Sequence, residues 1–103
     1  MRPIQVTVTG VAASQPIPLN WHATDFSVSL RADVSATATY SVEYTFDNPY
    51  TTPLGSITWI EHPDMTDLVA SDDAVLESPV TAVRCNVSAS TGSVTFTVLQ
   101  AGI

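Results

Sequence analysis

The residues of this chain able to do acid–base or metal chemistry are two histidines, His22 and His62, and ten carboxylates. His22 lies near Asp25, and His62 lies between Glu61 and Asp64, so these groups would form a metal site if their loops met. Tetrahedral zinc needs four closely held ligands, and no spacing here follows a zinc signature. Both histidines therefore read as solvent-exposed side chains beside Trp21 and Trp59. The stretch 61–73 gathers Glu61, Asp64, Asp67, Asp72 and Asp73 around Pro63 and reads as an exposed loop. Its oxygens suit calcium, but the EF-hand spacing and its turn glycine are missing. A glycosidase would need one pair of carboxylates roughly 5 to 10 Å apart across a cleft, and these acids single out no pair.

A nucleophile is equally unframed. No glycine–serine elbow presents a serine, and Gly55-Ser56 after Pro53 reads as a turn. Four glycines, none in a P-loop pattern, do not build a phosphate cradle. Cys85 is the single cysteine, so it closes no internal disulfide, and among alternating strand residues it reads as a small buried hydrophobe. Asn86-Val87-Ser88 matches a glycosylation sequon but falls in the middle of a strand. The sequence thus predicts no catalytic residue, no cofactor and no metal ligand set, and a protein that is not an enzyme.

Binding by aromatic side chains is the chemistry that remains. Tyr40, Tyr44 and Phe46 share a strand face with Val42 and read as core. Trp21, Tyr50 and Trp59 are freer. They are candidates either for a sugar platform or for interface anchors, where Trp and Tyr are enriched.

The elements that must position these residues are strands. Val and Thr dominate the chain, which favours a half-buried pleated surface over a helix. Ile4, Val6 and Val8 point one way, and Gln5, Thr7 and Thr9 the other. Ile17, Leu19 and Trp21 repeat the pattern, although Pro16 and Pro18 demote that segment to an edge or an extended arm. Phe26, Val28 and Leu30 form a third set. The longest alternation covers residues 36–46: Ala36, Ala38, Tyr40, Val42, Tyr44 and Phe46 face the core, and Thr37, Thr39, Ser41, Glu43 and Thr45 face water. Asp47-Asn48-Pro49 ends it by turn chemistry. Residues 57–60 carry Trp59 on a short strand. Val83, Cys85 and Val87 share a face of the next strand, Ser90-Thr91-Gly92 closes a hairpin, and Val94, Phe96 and Val98 share a face of the last. Seven or so short strands predict an all-β fold, an antiparallel β-sandwich or small barrel.

The chain has 103 residues, enough for one domain (1–103) with a modest core. It carries ten acids, three arginines and no lysine, for a net charge of −7. Nucleic-acid affinity comes mainly from phosphate neutralisation by Lys and Arg, so a nucleic-acid partner is not expected. No apolar run approaches the roughly 20 residues of a membrane helix, so no membrane role is expected. Residues 1–9 lack the basic start and apolar core of a signal peptide, which predicts a protein made and used inside a cell.

Three blocks carry a resemblance. They are Arg2-Pro3-Ile4-Gln5-Val6-Thr7-Val8-Thr9-Gly10-Val11, the central Ala38-Thr39-Tyr40-Ser41-Val42-Glu43-Tyr44-Thr45-Phe46-Asp47, and the closing run from Pro79 to Gly102. Together and in this order they resemble small structural proteins encoded in tailed-bacteriophage head gene clusters. Some members of that group are capsid cement, or decoration, proteins with a β-sandwich or jelly-roll-like fold. The resemblance implies a virion component assembled in the host cytoplasm. It would sit on the outer capsid surface and staple neighbouring subunits of the phage major capsid protein. It implies no catalytic residue. A staple needs a rigid domain with adhesive edges and loops, so Ile4, Val6 and Val8 of the first strand join Trp21, Tyr50 and Trp59 as candidate interface residues. Self-association, most simply as a twofold dimer, is a further expectation. The alternatives are a tail or head-completion protein and a carbohydrate-binding module.

Overall fold

The fold was analysed in a computed structural model that describes residues 3–101. Eight strands run β1 (Ile4–Thr9), β2 (Ile17–Pro18), β3 (Val28–Ser35), β4 (Ala38–Thr45), β5 (Ile60–Glu61), β6 (Asp72–Leu76), β7 (Ala82–Ser90) and β8 (Ser93–Gln100). They form two antiparallel sheets of four strands, in the orders β1-β8-β3-β6 and β2-β7-β4-β5.

The two sheets are one ribbon folded double. The ladder between β3 and β8 runs from Val28 opposite Gln100 to Ser35 opposite Ser93. It resumes in the other sheet at Ala38 opposite Ser90, in the same register, and continues, after a one-residue slip between Thr39 and Tyr40, to Thr45 opposite Ala82. So β3 and β4 are halves of one long strand bent at Ala36-Thr37, and β8 and β7 are halves of a second bent at Thr91-Gly92. The flanking segments follow the same bend. Residues 4–18 lie along the second strand: β1 pairs β8, Val87 N donates to Ala12 O at 2.8 Å, and β2 pairs β7. Residues 60–76 lie along the first: β5 and residues 62–68 follow β4, and β6 follows β3. A four-stranded ribbon bent over so that its two halves pack face to face is the jelly-roll arrangement.

The bend is held by backbone contacts. Gly10 N donates to Gly92 O at 3.2 Å and Thr91 N to Thr37 O at 2.9 Å. Gly10 takes φ +75 and Ala36 φ +67, left-handed conformations that turn the chain sharply. Gly92 serves by its size: a Cβ there would lie 2.0 Å from Ser35 O.

Alternation places the core as expected along β8 and most of β3. Val94, Phe96 and Val98 face Leu30, Ala32 and Val28 across the first sheet's inner surface, all buried. Tyr40, Val42, Val83, Cys85 and Val87 meet them from the second sheet. Each large apolar side chain so buried contributes about 1.5–3 kcal/mol.

Several expectations are corrected. The run 90–92 is no hairpin, because the residues on either side of it enter different sheets. The outer face of β4 is not wet: Ser41, Glu43 and Thr45 are all buried. Phe46, read as core, is 63% exposed because β4 ends at Thr45 and the chain turns at Asp47. Residues 57–60 are largely irregular after a 3-10 turn at Leu54–Ser56. The stretch 61–73 is no free loop, since Val42 N donates to Met65 O and Tyr40 and Leu68 exchange both backbone bonds. Met65 is fully buried, and Asp72 and Asp73 open β6, a strand hidden by its acidic composition.

Candidate functional site

The four bends lie at one end of the sandwich, so the connections 19–27, 46–59 and 77–81 lie at the other. Side chains inside the fold pin these loops. Gln100, buried at the end of β8, accepts from Asn20 N at 2.9 Å and donates to Asn20 O at 2.8 Å. Leu19 N donates to Thr81 O at 2.9 Å, tying the first connection to the third. In the second, Asp47 Oδ2 accepts from Thr58 N at 2.7 Å and closes the loop's neck. Asn48 makes an Asx turn, its Oδ1 accepting from Tyr50 N at 2.9 Å.

This framework brings Trp21 and Tyr50 together. Their ring centroids lie 6.4 Å apart at 40°, and His22 packs on Trp21 at 5.4 Å. Trp21 is half-buried and Tyr50 is 73% exposed. Leu54, in the same connection as Tyr50, is exposed as well, as is Phe46 at its start. A packed pair of rings, one of them exposed, presents contact area at little entropic cost, which suits an interface anchor.

Trp59 does not join them. It packs against the outer face of the second sheet, with the Arg84 guanidinium 4.5 Å above its ring. Arg84 Nε donates in turn to Glu43 Oε1 at 2.6 Å. Glu43 and Arg84 stand directly opposite on β4 and β7 because the ladder slips by one residue between Thr39 and Tyr40. Without that bulge Glu43 would face Cys85, and Arg84 would point into the core. The Trp59 Nε1–H is buried and has no acceptor among the described residues.

Ile4, Val6 and Val8 all point inward from β1. Val8 is buried and Val6 packs on the core, while Ile4 is 36% exposed at the strand's start. What β1 offers a partner is its free main-chain edge and the outward Gln5, Thr7 and Thr9.

The titratable residues are dispersed or structural. His22 is exposed, but His62, expected at the surface, is buried. Its Nδ1 accepts from Asp64 N at 3.1 Å, which leaves the proton on Nε2 to donate to Val75 O at 3.0 Å. His62 thus pins the segment after β5 to β6. No three His, Cys, Asp or Glu residues cluster as a metal site among the described residues. Burial pushes the Cys85 thiol up to about 12, with the Glu43 charge adding to the effect, so it stays a protonated core side chain. Burial likewise raises the Tyr40 hydroxyl to about 12, with Asp72 the next cause, and that hydroxyl donates to Ala70 O at 2.8 Å. A groove of about 350 Å³ on the first sheet's outer face contains Arg31, but Asp33 neutralises it at 2.9 Å.

No helix among the described residues is long and apolar enough to cross a membrane. No family model matches the sequence, and no curated protein matches it. Among solved structures the chain is similar to a de novo designed double-stranded β-helix determined by solution NMR. The TM-score is 0.49 and the identity 14%, over 97% of this chain and 99% of the other.

Proposed function

We propose that this chain is a non-enzymatic adhesive domain of a tailed bacteriophage. It would decorate the outer capsid surface as a cement protein and staple neighbouring subunits of the major capsid protein. The observation that carries this reading is the loop end, where Trp21 and the exposed Tyr50 pack together on a jelly-roll frame. The resemblance of the first, central and last blocks supplies the particle. The loop end seats on the capsid, and high copy number on a symmetric shell multiplies modest contacts through avidity.

The test is binding of the purified chain to shells that lack it. Trp21→Ala and Tyr50→Ala should each weaken binding at least tenfold, since a central aromatic anchor contributes about 2 kcal/mol or more. Trp59→Phe, beneath Arg84 and away from the pair, should leave it unchanged. Full binding by the double Trp21→Ala, Tyr50→Ala variant contradicts the assignment.

A second reading rests on the same two rings, which would form a two-ring sugar platform in a carbohydrate-binding module. Glycan-array binding that disappears in Trp21→Ala, without any binding to shells, would favour it.

A further inference from the structure

The four edges of the two sheets are not treated alike. The edge formed by residues 60–77 carries six of the ten acids, Glu61, Asp64, Asp67, Asp72, Asp73 and Glu77, all exposed. Exposed charge on an edge strand prevents pairing with another chain. The opposite edge is built by residues 4–18, and from Pro3 to Thr24 the sequence holds no Asp, Glu, Lys or Arg. In the second sheet this uncharged edge is blunted by Pro16 and Pro18, beside and within the two-residue β2. Prolines supply no ladder donor. In the first sheet the one proline, Pro3, precedes the strand and leaves its length open. β1 has six residues with no proline, no charge and no irregularity in its pairing with β8.

We infer that β1 pairs with β1 of a second copy, antiparallel across a twofold axis, joining the two first sheets into one of eight strands. Charge selects this contact: two chains of net charge −7 repel at every edge that carries acids and least where there are none. Side-chain pattern fixes its register. Opposed residues on antiparallel strands lie on the same side of the sheet, so a dyad at Thr7 sets Thr7 against Thr7, Gln5 against Thr9 and Val6 against Val8. The outer row then repeats the chemistry already seen one strand inward. There Thr7 Oγ1 lies 3.2 Å from Thr95 Oγ1, and Gln5 Nε2 donates to Thr97 Oγ1 at 3.2 Å. On the inner side the half-open Ile4 and Val6 gain cover. A groove of about 460 Å³ between β1 and residues 12–15, also uncharged, receives the partner's flank. The inference stands on the edge strands alone and holds whatever surface the loop end meets.

Sedimentation equilibrium of the full chain tests it. The expected mass is twice the 10.9 kDa of one chain. Thr7→Lys and Thr7→Glu should each give the monomer mass, because each places like charges on the dyad. Thr7→Lys does so while lowering the net negative charge, so general repulsion does not explain its effect. An equimolar mixture of the two should regain the dimer. Should either variant fold poorly by circular dichroism, hydrogen exchange of the wild-type chain decides instead: amide protection in β1 must rise with protein concentration. A wild-type monomer, a dimeric Thr7→Lys, or protection in β1 that ignores concentration overturns the inference.

Discussion

Gly92→Ala should destabilise the protein by roughly 3 kcal/mol or more, and Gly92→Val should leave no folded product. The added Cβ would lie 2.0 Å from Ser35 O and 2.7 Å from Ala36 Cβ. The first neighbour is backbone, which has no rotamer to escape into. Relief must come from opening the bend that β3–β4 and β7–β8 cross side by side, and overpacking of this kind sits at or above the usual 1–3 kcal/mol. Against a total of about 5–15 kcal/mol that is a large fraction. The chain supplies its own controls. Gly10 has φ +75 with nothing within 4 Å of a Cβ, so Gly10→Ala should cost only the left-handed conformation, about 1–2 kcal/mol. Gly55 has neither constraint, and Gly55→Ala should be close to neutral. Urea midpoints of the three variants order these effects. Equal costs at Gly92 and Gly10 would mean that the two bends do not pack as described.

Glu43→Ala should have the next largest effect, about 3 kcal/mol. Glu43 is 7% exposed and its partner Arg84 is only partly so. Removing one member of a buried pair strands the other, at about 3–5 kcal/mol for full burial, and the exposure of Arg84 places this pair at the lower end. Replacing Arg84 should cost less than the sum of its contacts suggests, because Trp59 and Glu43 lose the same partner. A double-mutant cycle on Glu43 and Arg84 should therefore show strong coupling. Trp59→Phe tests the top of the stack from the other side. It keeps an aromatic face under the guanidinium and removes an N–H that finds no acceptor, so stability should hold or rise slightly. Additive effects at Glu43 and Arg84 would contradict a direct buried pair.

What the sequence made legible follows from where water lies. β1 and β8 alternate apolar and Thr or Gln residues because one face meets the core and the other solvent, so their extents could be read directly. β4 alternates in the same way, but Arg84 covers Glu43 on its polar face and the backbone at Asp67 meets Ser41, and no local pattern announces partners from elsewhere in the chain. β6 is hard to read because it opens on Asp72 and Asp73, acids that guard an edge, and acids look like loop. The two-residue step at Thr91-Gly92 reads alike for a hairpin and for a strand that changes sheet. Only the register carried through the bend, from Ser35 opposite Ser93 to Ala38 opposite Ser90, distinguishes them. The candidate site shows the same division. Trp21, Tyr50 and Trp59 were evident by type. That loop pinning by Gln100 and Asp47 would join the first two, and a bulge at Thr39 would turn Arg84 onto the third, is information held in tertiary contacts.

The adhesive reading and the dimer meet in one geometry. Pairing through β1 extends the first sheet and gives each dimer two loop ends. Two anchors on a rigid body bind with an affinity neither has alone. Such a pair could bridge neighbouring capsid subunits, which is what a staple must do.

The most direct measurement is the copy number of this chain relative to the major capsid protein in purified phage particles, by quantitative mass spectrometry. A shell-wide cement role predicts a ratio near one, or a simple fraction such as one half or one third. A handful of copies would contradict it and move the protein to the tail or a head-completion position, and absence from the particle would remove it from the virion altogether.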